Sequence, residues 1–383
     1  MQMSPYTPGT IAEEIPGRES QLSLISQRLE RVAQLGEMNK QFEIFVGPRG
    51  VGKTSLLRKA EKLAKQRQFE TIWVTAGNSE LAAALIDECY RTVEATSNKL
   101  ASALKSSLQR MKITLPVVTL DLQQHEQSNL PTQPAERVLE AAFKAATDAA
   151  LQSGKKGLVV FIDELQQADK ASLTALAFAW QHLQAEADHL PLAIFTAGLG
   201  NTRDVLTDSA SFAERFSYRH LANLSPQESK LALILPAGKL GVKWHTEALK
   251  TALEFAAGYP HFLQLIGDCA WEVAGDPDAD EEITAVQAAA AGELFKSKRT
   301  EFFASRLAKT TEKELELLQA MATLQERKLR RADIAKALGV STTDISAQRA
   351  SLLSKGLIEA PEYGYLQFTA PGFGKYIREV YAL

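Results

Sequence analysis

An α/β fold on a parallel sheet, followed by a helical region and then a winged helix, is what the sequence predicts, and three observations predict it. A glycine-rich loop, Gly47-Pro48-Arg49-Gly50-Val51-Gly52-Lys53-Thr54, stands between a strand-like run and a helix-like run. The unbroken apolar run Leu158-Val159-Val160-Phe161-Ile162 ends in two acids, Asp163-Glu164. Beyond Leu224 the alternation of strands and helices gives way to helices alone. The divisions expected are 1–224, 225–300 and 301–383.

Taken in order, Ile15-Pro16-Gly17-Arg18-Glu19 reads as a turn, and Leu22, Ile25, Leu29 and Val32 at helical spacing read as an amphipathic helix. The strand Phe42-Glu43-Ile44-Phe45-Val46 then leads into the glycine-rich loop, which fits the pattern G-x-x-x-x-G-K-[ST] at every fixed position. Glycines let the backbone curl so that N–H groups and the positive end of the next helix face an anion. In that pattern Gly47, Pro48, Arg49, Gly50, Val51, Gly52, Lys53, Thr54 and Ser55 cradle a nucleoside triphosphate, Lys53 reaches the terminal phosphates and Thr54 offers a hydroxyl to Mg²⁺. ATP or ADP with Mg²⁺ is the ligand this implies.

Further strands are expected at Thr71–Thr75, Leu158–Ile162, Leu192–Thr196 and Phe216–Leu221, with helices between them. Ligands gather at the carboxyl ends of such strands. Asp163 is thereby placed to hold the metal, and Glu164 to polarise an attacking water. The polar, proline-flanked stretch from Ser97 to Pro134 reads as a mobile loop or insertion.

After Leu224, Ser225-Pro226-Gln227-Glu228 reads as a capped helix start, and Thr246–Ala257 as a helix halted by Gly258-Tyr259-Pro260. Gly275–Asp280 is an acidic break, and Ile283–Leu307 reads as one long helix or two shorter ones. The tail then holds a helix lined by Leu315, Leu318, Met321 and Leu324, a second at Arg331–Gly339, and a third capped by Ser341-Thr342-Thr343-Asp344 and running to Lys355-Gly356. Leu357–Glu359 and Tyr365–Phe368 read as a two-stranded wing.

Composition narrows the classes. A net charge of −3 gives no global pull towards nucleic acid or anionic membrane. Two distant cysteines, Cys89 and Cys269, make neither a disulfide framework nor a metal site and suit a reducing, cytoplasmic setting. No apolar run reaches the ~20 residues that span a bilayer, and the polar start has no secretory pattern.

Together, Gly47–Thr54, Asp163-Glu164, the strand ending at Thr196, the Arg215 segment and the helical tail resemble the AAA+ ATPases of the origin-recognition type. The turn holding Ile15, Gly17 and Arg18 looks like the segment that these proteins pack against adenine. Gly258-Tyr259-Pro260 looks instead like the glycine-x-proline element that the signal-transducing (STAND) branch places at the start of a lid helix, which makes Pro260 a candidate nucleotide contact; His261, beside the point where replication-initiator relatives bring an arginine to the phosphates, is read as structural or a weak nucleotide contact. The resemblance implies a γ-phosphate sensor at Thr196, or else Asn201, and an arginine, Arg215, offered to a neighbouring subunit's nucleotide. A helix-capping or ion-pairing role for Arg215 stands beside that.

The tail's candidates for duplex DNA are Arg330, Arg331, Gln348, Arg349 and Lys355. Residues 301–383 carry 12 Lys and Arg against 10 Asp and Glu, a balance of only +2, so a protein-docking role is the alternative. The function expected is an ATP-hydrolysing conformational switch whose winged helix binds DNA. Its rival is a slow or non-hydrolysing nucleotide-dependent signalling module that binds a protein partner, and a homo-oligomer fits either.

Overall fold

The computed structural model of the chain describes residues 2–96, 134–186, 189–326 and 328–383. The stretch expected to be a loop, through residue 133, and Arg327 lie outside the described residues.

Contacts divide the chain into two compact units, one of residues 20–46 and 56–220, the other of 1–19, 47–55 and 221–383. The first holds a five-stranded parallel sheet of β1 (Glu43–Val46), β2 (Glu70–Thr75), β3 (Leu158–Asp163), β4 (Leu192–Gly198) and β5 (Ser217–His220), in the order β2-β3-β4-β1-β5. The helices of this unit are α1 (Glu19–Leu35), the greater part of α2 (Lys53–Gln66), α3 (Leu81–Glu94), α4 (Ala135–Gln152), α5 (Lys170–Glu186) and α6 (Thr202–Ser209). Central strands covered on both faces have no use for polar alternation. Accordingly, every residue of β1, β3 and β4 is buried, even Glu43, which is held between Arg28 and Arg219 at 3.2 Å each. The chain is thus an α/β protein with the parallel sheet of a P-loop nucleotide-binding fold.

The second unit is helical. It contains α7 (Pro226–Lys239), α8 (Thr246–Ala256), α9 (Pro260–Val273) and α10 (Ala285–Leu307), with a short parallel pair, β6 (Lys243–Trp244) and β7 (Glu282–Ile283), that periodicity did not signal. Ser225 and Glu228 form the expected reciprocal cap on α7. Ile283–Leu307 resolves to one helix, and residue 300 lies inside it. The tail follows as α11 (Glu312–Thr323), β8 (Leu329–Arg330), α12 (Arg331–Ala337), α13 (Ser346–Ser354), β9 (Ile358–Glu359), β10 (Tyr365–Phe368) and α14 (Phe373–Tyr381). β9 and β10 pair antiparallel as expected, and β8 adds a third strand on the far side of β10. One apolar core runs through this unit: Phe303 of α10 lies 5.1 Å from Phe373 and 5.3 Å from Tyr376 of α14, ring centre to ring centre.

The third tail helix starts later than its sequence suggests. Asp344 accepts from the Ser341 amide at 2.8 Å and the Ser341 hydroxyl at 2.7 Å, closing a turn of its own, and α13 begins only at Ser346 without a side-chain cap.

Candidate nucleotide site

The phosphate loop leaves the carboxyl end of β1 and enters α2 at Lys53. Its glycines are there for three distinct reasons. A Cβ on Gly47 would stand 2.6 Å from the Leu221 carbonyl oxygen. Gly52 has φ +93°, and Gly50 combines φ +83° with the close approach of the Tyr259 hydroxyl. That hydroxyl donates a short hydrogen bond to the Arg49 carbonyl. Lys53, nearly buried, donates to the Gly47 and Pro48 carbonyls at 3.0 and 2.9 Å.

Arg18 is a brace of this loop. Buried to 6% exposure, it donates to the Val51 carbonyl at 3.1 Å, the Ala222 carbonyl at 2.7 Å and the Gly17 carbonyl at 3.1 Å. Burial pulls its pKa down from the usual arginine value, and Glu228 and Glu19 oppose that pull. Gly17, at φ +77°, lies where a Cβ would be 2.6 Å from the Glu228 carboxyl, so the turn beginning at Ile15 is closed by α7. Ser55 accepts from the Ala12 amide at 3.3 Å, which ties the amino-terminal segment to the loop.

Pro260 opens α9. His261 beside it stacks on Phe302 at 4.7 Å, and burial first, then Arg306, lowers its pKa to about 4. It is therefore a neutral ring near pH 7, not a cation for phosphate. Arg306, whose pKa burial also lowers and whose charge acts on the Tyr259 hydroxyl, lies 4.1 Å over the Phe302 ring. Its Nη1 is buried without a partner. Tyr259 and Arg306 had no reading as site residues: Tyr259 stood in the glycine-x-proline element only as a spacer, and nothing in the local pattern around Arg306 announces a long-range contact.

At the sheet, Asp163 is the last residue of β3 and is 4% exposed; its carboxylate accepts from the Glu164 amide at 2.9 Å. Glu164 follows in the left-handed region, φ 54° and ψ 36°. Its Oε2 accepts from the side-chain amides of Gln166 at 2.6 Å and Gln167 at 3.3 Å. The carboxyl ends of β1 and β3 share one edge of the sheet, since all five strands run parallel.

The strand tip expected at Thr196 lies elsewhere. β4 continues to Gly198, and Thr196 is fully buried with its hydroxyl donating to the Glu43 carbonyl at 3.3 Å. Its apolar neighbours Ala197 and Gly198 extend the strand, because small residues end it no sooner than the backbone pairing does. Asn201 stands at the cap of α6, its Oδ1 buried without a partner. Arg215 is exposed at the end of a short 3₁₀ turn before β5. The Ser217 amide bonds to the Phe42 carbonyl there, so Arg215 is at the amino edge of the sheet, away from its own β3 tip.

In the tail, two of the five named polar residues are committed inside the molecule. Arg331 Nη2 donates to the Ser346 hydroxyl at 2.7 Å and to the Thr342 carbonyl, and Lys355 pairs with Glu314 at 2.6 Å and the Lys309 carbonyl at 2.8 Å. Arg330 is exposed, with Nε 3.2 Å from the Tyr365 hydroxyl; Gln348 and Arg349 are half-buried on α13, and Gln348 Oε1 has no partner.

The fold and loop define a P-loop nucleotide-binding protein. Residues 14–195 match the AAA ATPase domain family, and residues 300–377 match a domain family of unknown function, DUF8462. Over 97% of this chain and 98% of the other, the fold is similar to a Walker-type ATPase of Pyrococcus abyssi, at 18% identity and TM-score 0.59. It is similar too to the ORC2 protein of Aeropyrum pernix, solved as ADPNP–ADP complexes, over 99% and 98% at 14% identity and TM-score 0.58. No curated protein matches the chain. The fold is thus that of P-loop ATPases of the AAA+ type and is similar to that of an origin-recognition-like protein, and the AAA ATPase domain match over residues 14–195 supports nucleotide-dependent ATPase activity. Among the described residues no helix is long and apolar enough to cross a membrane.

Proposed function

We propose that this chain binds ATP at residues 47–54, hydrolyses it, and works as a conformational switch. The observation that carries the reading is the sheet edge: the phosphate loop grows from β1, and Asp163 ends β3 at the same edge with Glu164 next to it. Lys53 binds the β- and γ-phosphates, and the loop amides complete the cradle. Thr54 and Asp163 supply a hydroxyl and a carboxylate, the hard oxygen donors that Mg²⁺ takes alongside phosphate oxygens. Bound Mg²⁺ would neutralise charge on those oxygens. Glu164 orients and polarises the water. Asn201, beyond the end of β4, has a side-chain N–H to offer the γ-phosphate, whereas the Thr196 hydroxyl is buried and donates to the Glu43 carbonyl. Arg215, exposed at the opposite edge, acts on a neighbouring copy's nucleotide in this reading, which makes the monomer slow.

Three contacts the sequence pointed to become supports. Arg18 with Gly17 and the Ile15 turn shape the loop from behind, Ser55 anchors the amino-terminal segment, and Pro260 with His261 back the Tyr259 contact. The tail is proposed as a winged helix that reaches duplex DNA through Arg330, Arg349 and Gln348, in the cytoplasm. A second reading, a slower module that grips a protein, draws on Arg331 and Lys355, whose charges are spent on internal partners.

The test is steady-state ATP turnover with Mg²⁺ for the native chain and Glu164→Gln, beside calorimetric binding of ATP and ADP. Turnover in the native chain and its loss at retained affinity in the variant support the reading. Absence of binding by either nucleotide at millimolar concentration sinks it. Retention on duplex DNA that falls with salt and with Arg349→Ala decides for nucleic acid, and no retention at low salt decides for a protein partner.

A further inference from the structure

Gln166 has no role in the reading above, yet it joins the β3 tip to the loop that follows β4. Its Nε2 donates to Glu164 Oε2 at 2.6 Å, and its Oε1 accepts from the Leu199 amide at 2.9 Å. The fit is close: a Cβ on Gly198 would stand 2.8 Å from that Oε1, so the β4 tip is shaped to admit the amide. Leu199 is itself fixed, because its carbonyl accepts from the Thr202 hydroxyl at 2.6 Å and the Thr202 amide at 3.0 Å, and Thr202 is fully buried. On the other flank Gln167 Nε2 donates to the same Glu164 oxygen, and Gln167 Oε1 lies 2.8 Å from where a Cβ on Gly77, beyond β2, would be. The carboxylate is thus bracketed by side chains that lean on the tips of both neighbouring strands.

We propose that Gln166 is a positioning residue for the water-activating carboxylate of Glu164, tying it to the rigid turn after β4. The proposal rests on the role given to Glu164 above. A glutamate side chain has three torsions, and fixing them costs entropy that only specific partners repay. Here the backbone is in an uncommon left-handed conformation and both amides converge on Oε2. Neither takes Oε1. A displacement of about 1 Å at a reacting group can cost ~10²-fold in rate, so the tether is worth more to turnover than to binding. The turn it leans on contains Asn201, so a change there on ligand binding reaches Glu164 through one side chain.

The test is kcat and ATP affinity for Gln166→Met, alone and combined with Glu164→Gln. The single variant is expected to lose roughly 10- to 100-fold in kcat with ATP affinity within about twofold of native. In the Glu164→Gln background the same change is expected to cost nothing further, because a residue that acts only through Glu164 is silent once Glu164 is gone. Unchanged kcat in the single variant, or a full additional loss in the double, overturns the proposal; the latter is what a general weakening of the fold would give. Should Gln166→Met fail to fold, Gln166→Glu keeps the acceptor for Leu199 and sets a like charge against Glu164. Its kcat must then fall at unchanged affinity, and native kcat overturns the proposal. If native protein turns over ATP and Glu164→Gln does not, while the Gln166 variants match native, only this inference fails. If Glu164→Gln itself is undiminished, the role of Glu164 fails first.

Discussion

The phosphate loop and the acidic tip of β3 are held in shape by opposite means. The loop is braced from far away in sequence: Arg18 reaches the Val51 carbonyl, Tyr259 the Arg49 carbonyl, and Ala12 the Ser55 hydroxyl, while the Leu221 carbonyl closes on Gly47. The β3 tip is held by its own next few residues, Gln166 and Gln167, with one backbone amide from the β4 turn. Loop geometry is therefore a tertiary property that distant substitutions disturb, whereas tip geometry is nearly local. In the proposed function, binding follows the first and chemistry the second.

The sharpest way to break that division is to remove one side chain from each half. Lys53→Ala is expected to weaken ATP binding by ~100-fold or more, as it removes the cation proposed to meet the terminal phosphates. Glu164→Gln should keep affinity within a few-fold and lose ~10² to 10³ in turnover, as expected of a group that acts in the transition state. Calorimetry and phosphate release measure the two. Equal loss of affinity in both variants would end the division.

Next in size is Arg18→Met, which keeps much of the buried stem but strands two carbonyls that Arg18 now serves across the fold. We expect a loss of about 2 to 3 kcal/mol in unfolding free energy by urea titration, and weaker ATP binding with it. Gln167→Met, at the locally held tip, should cost under about 1 kcal/mol and leave affinity unchanged. A smaller loss at Arg18 than at Gln167 would reverse the comparison.

The same contrast governs what could be read in advance. The five sheet strands, the glycine-rich loop and the acid-tipped strand are local patterns: an apolar run with a turn at its end is visible in consecutive residues, and each strand fell within two residues of its expected bounds. Thr196 was misplaced because Ala197 and Gly198 look like a turn but are the small residues that let β4 continue beside β1. The short pairs β6–β7 and β8–β10 hold two residues on each strand and carry no alternation to detect. Arg331 and Lys355 read as exposed cations, since Ser346 and Glu314, their partners, are 15 and 41 positions away. Tyr259 and Arg18 as braces were illegible for that reason too: a side chain donating to a remote carbonyl leaves no spacing to find.

Gly50 and Tyr259 refine the picture at one contact. Gly50→Ala places a Cβ against the Tyr259 hydroxyl at a positive φ, and about 1 to 2 kcal/mol of stability should go, with ATP affinity falling several-fold. Tyr259→Phe alone should cost about 1 kcal/mol for the lost bond to Arg49. The pair combined should cost less than the sum, because the phenylalanine removes the nearest clashing atom, the oxygen, and leaves the ring carbon at 2.8 Å and the φ penalty. Thermal denaturation of the four proteins yields the coupling, and strict additivity would show that loop and ring do not meet.

The last expected effect, spread over two pH units, concerns the same part of the molecule. His261 stacks on Phe302 beside Arg306, and its folded pKa of about 4 is below the usual histidine value because burial and then the Arg306 charge disfavour a second cation. Between that value and the unfolded pKa of ~6.5 the unfolded chain binds the proton and the folded chain does not, so stability rises with pH across this window and is lost as pH falls through it. With a discount for the partly exposed ring, about 1 to 2 kcal/mol should disappear between pH 7 and pH 5. His261→Phe, which keeps a ring on Phe302 and cannot titrate, should flatten that part of the profile while leaving the pH 7 value near native. Carboxylates also titrate below pH 5, so the informative quantity is the difference between the two proteins' urea midpoints from pH 7 to pH 5. A constant difference would mean that His261 is protonated as easily in the folded chain as in the unfolded one, and that the Tyr259–Arg306 brace of the phosphate loop is wetter than its packing implies.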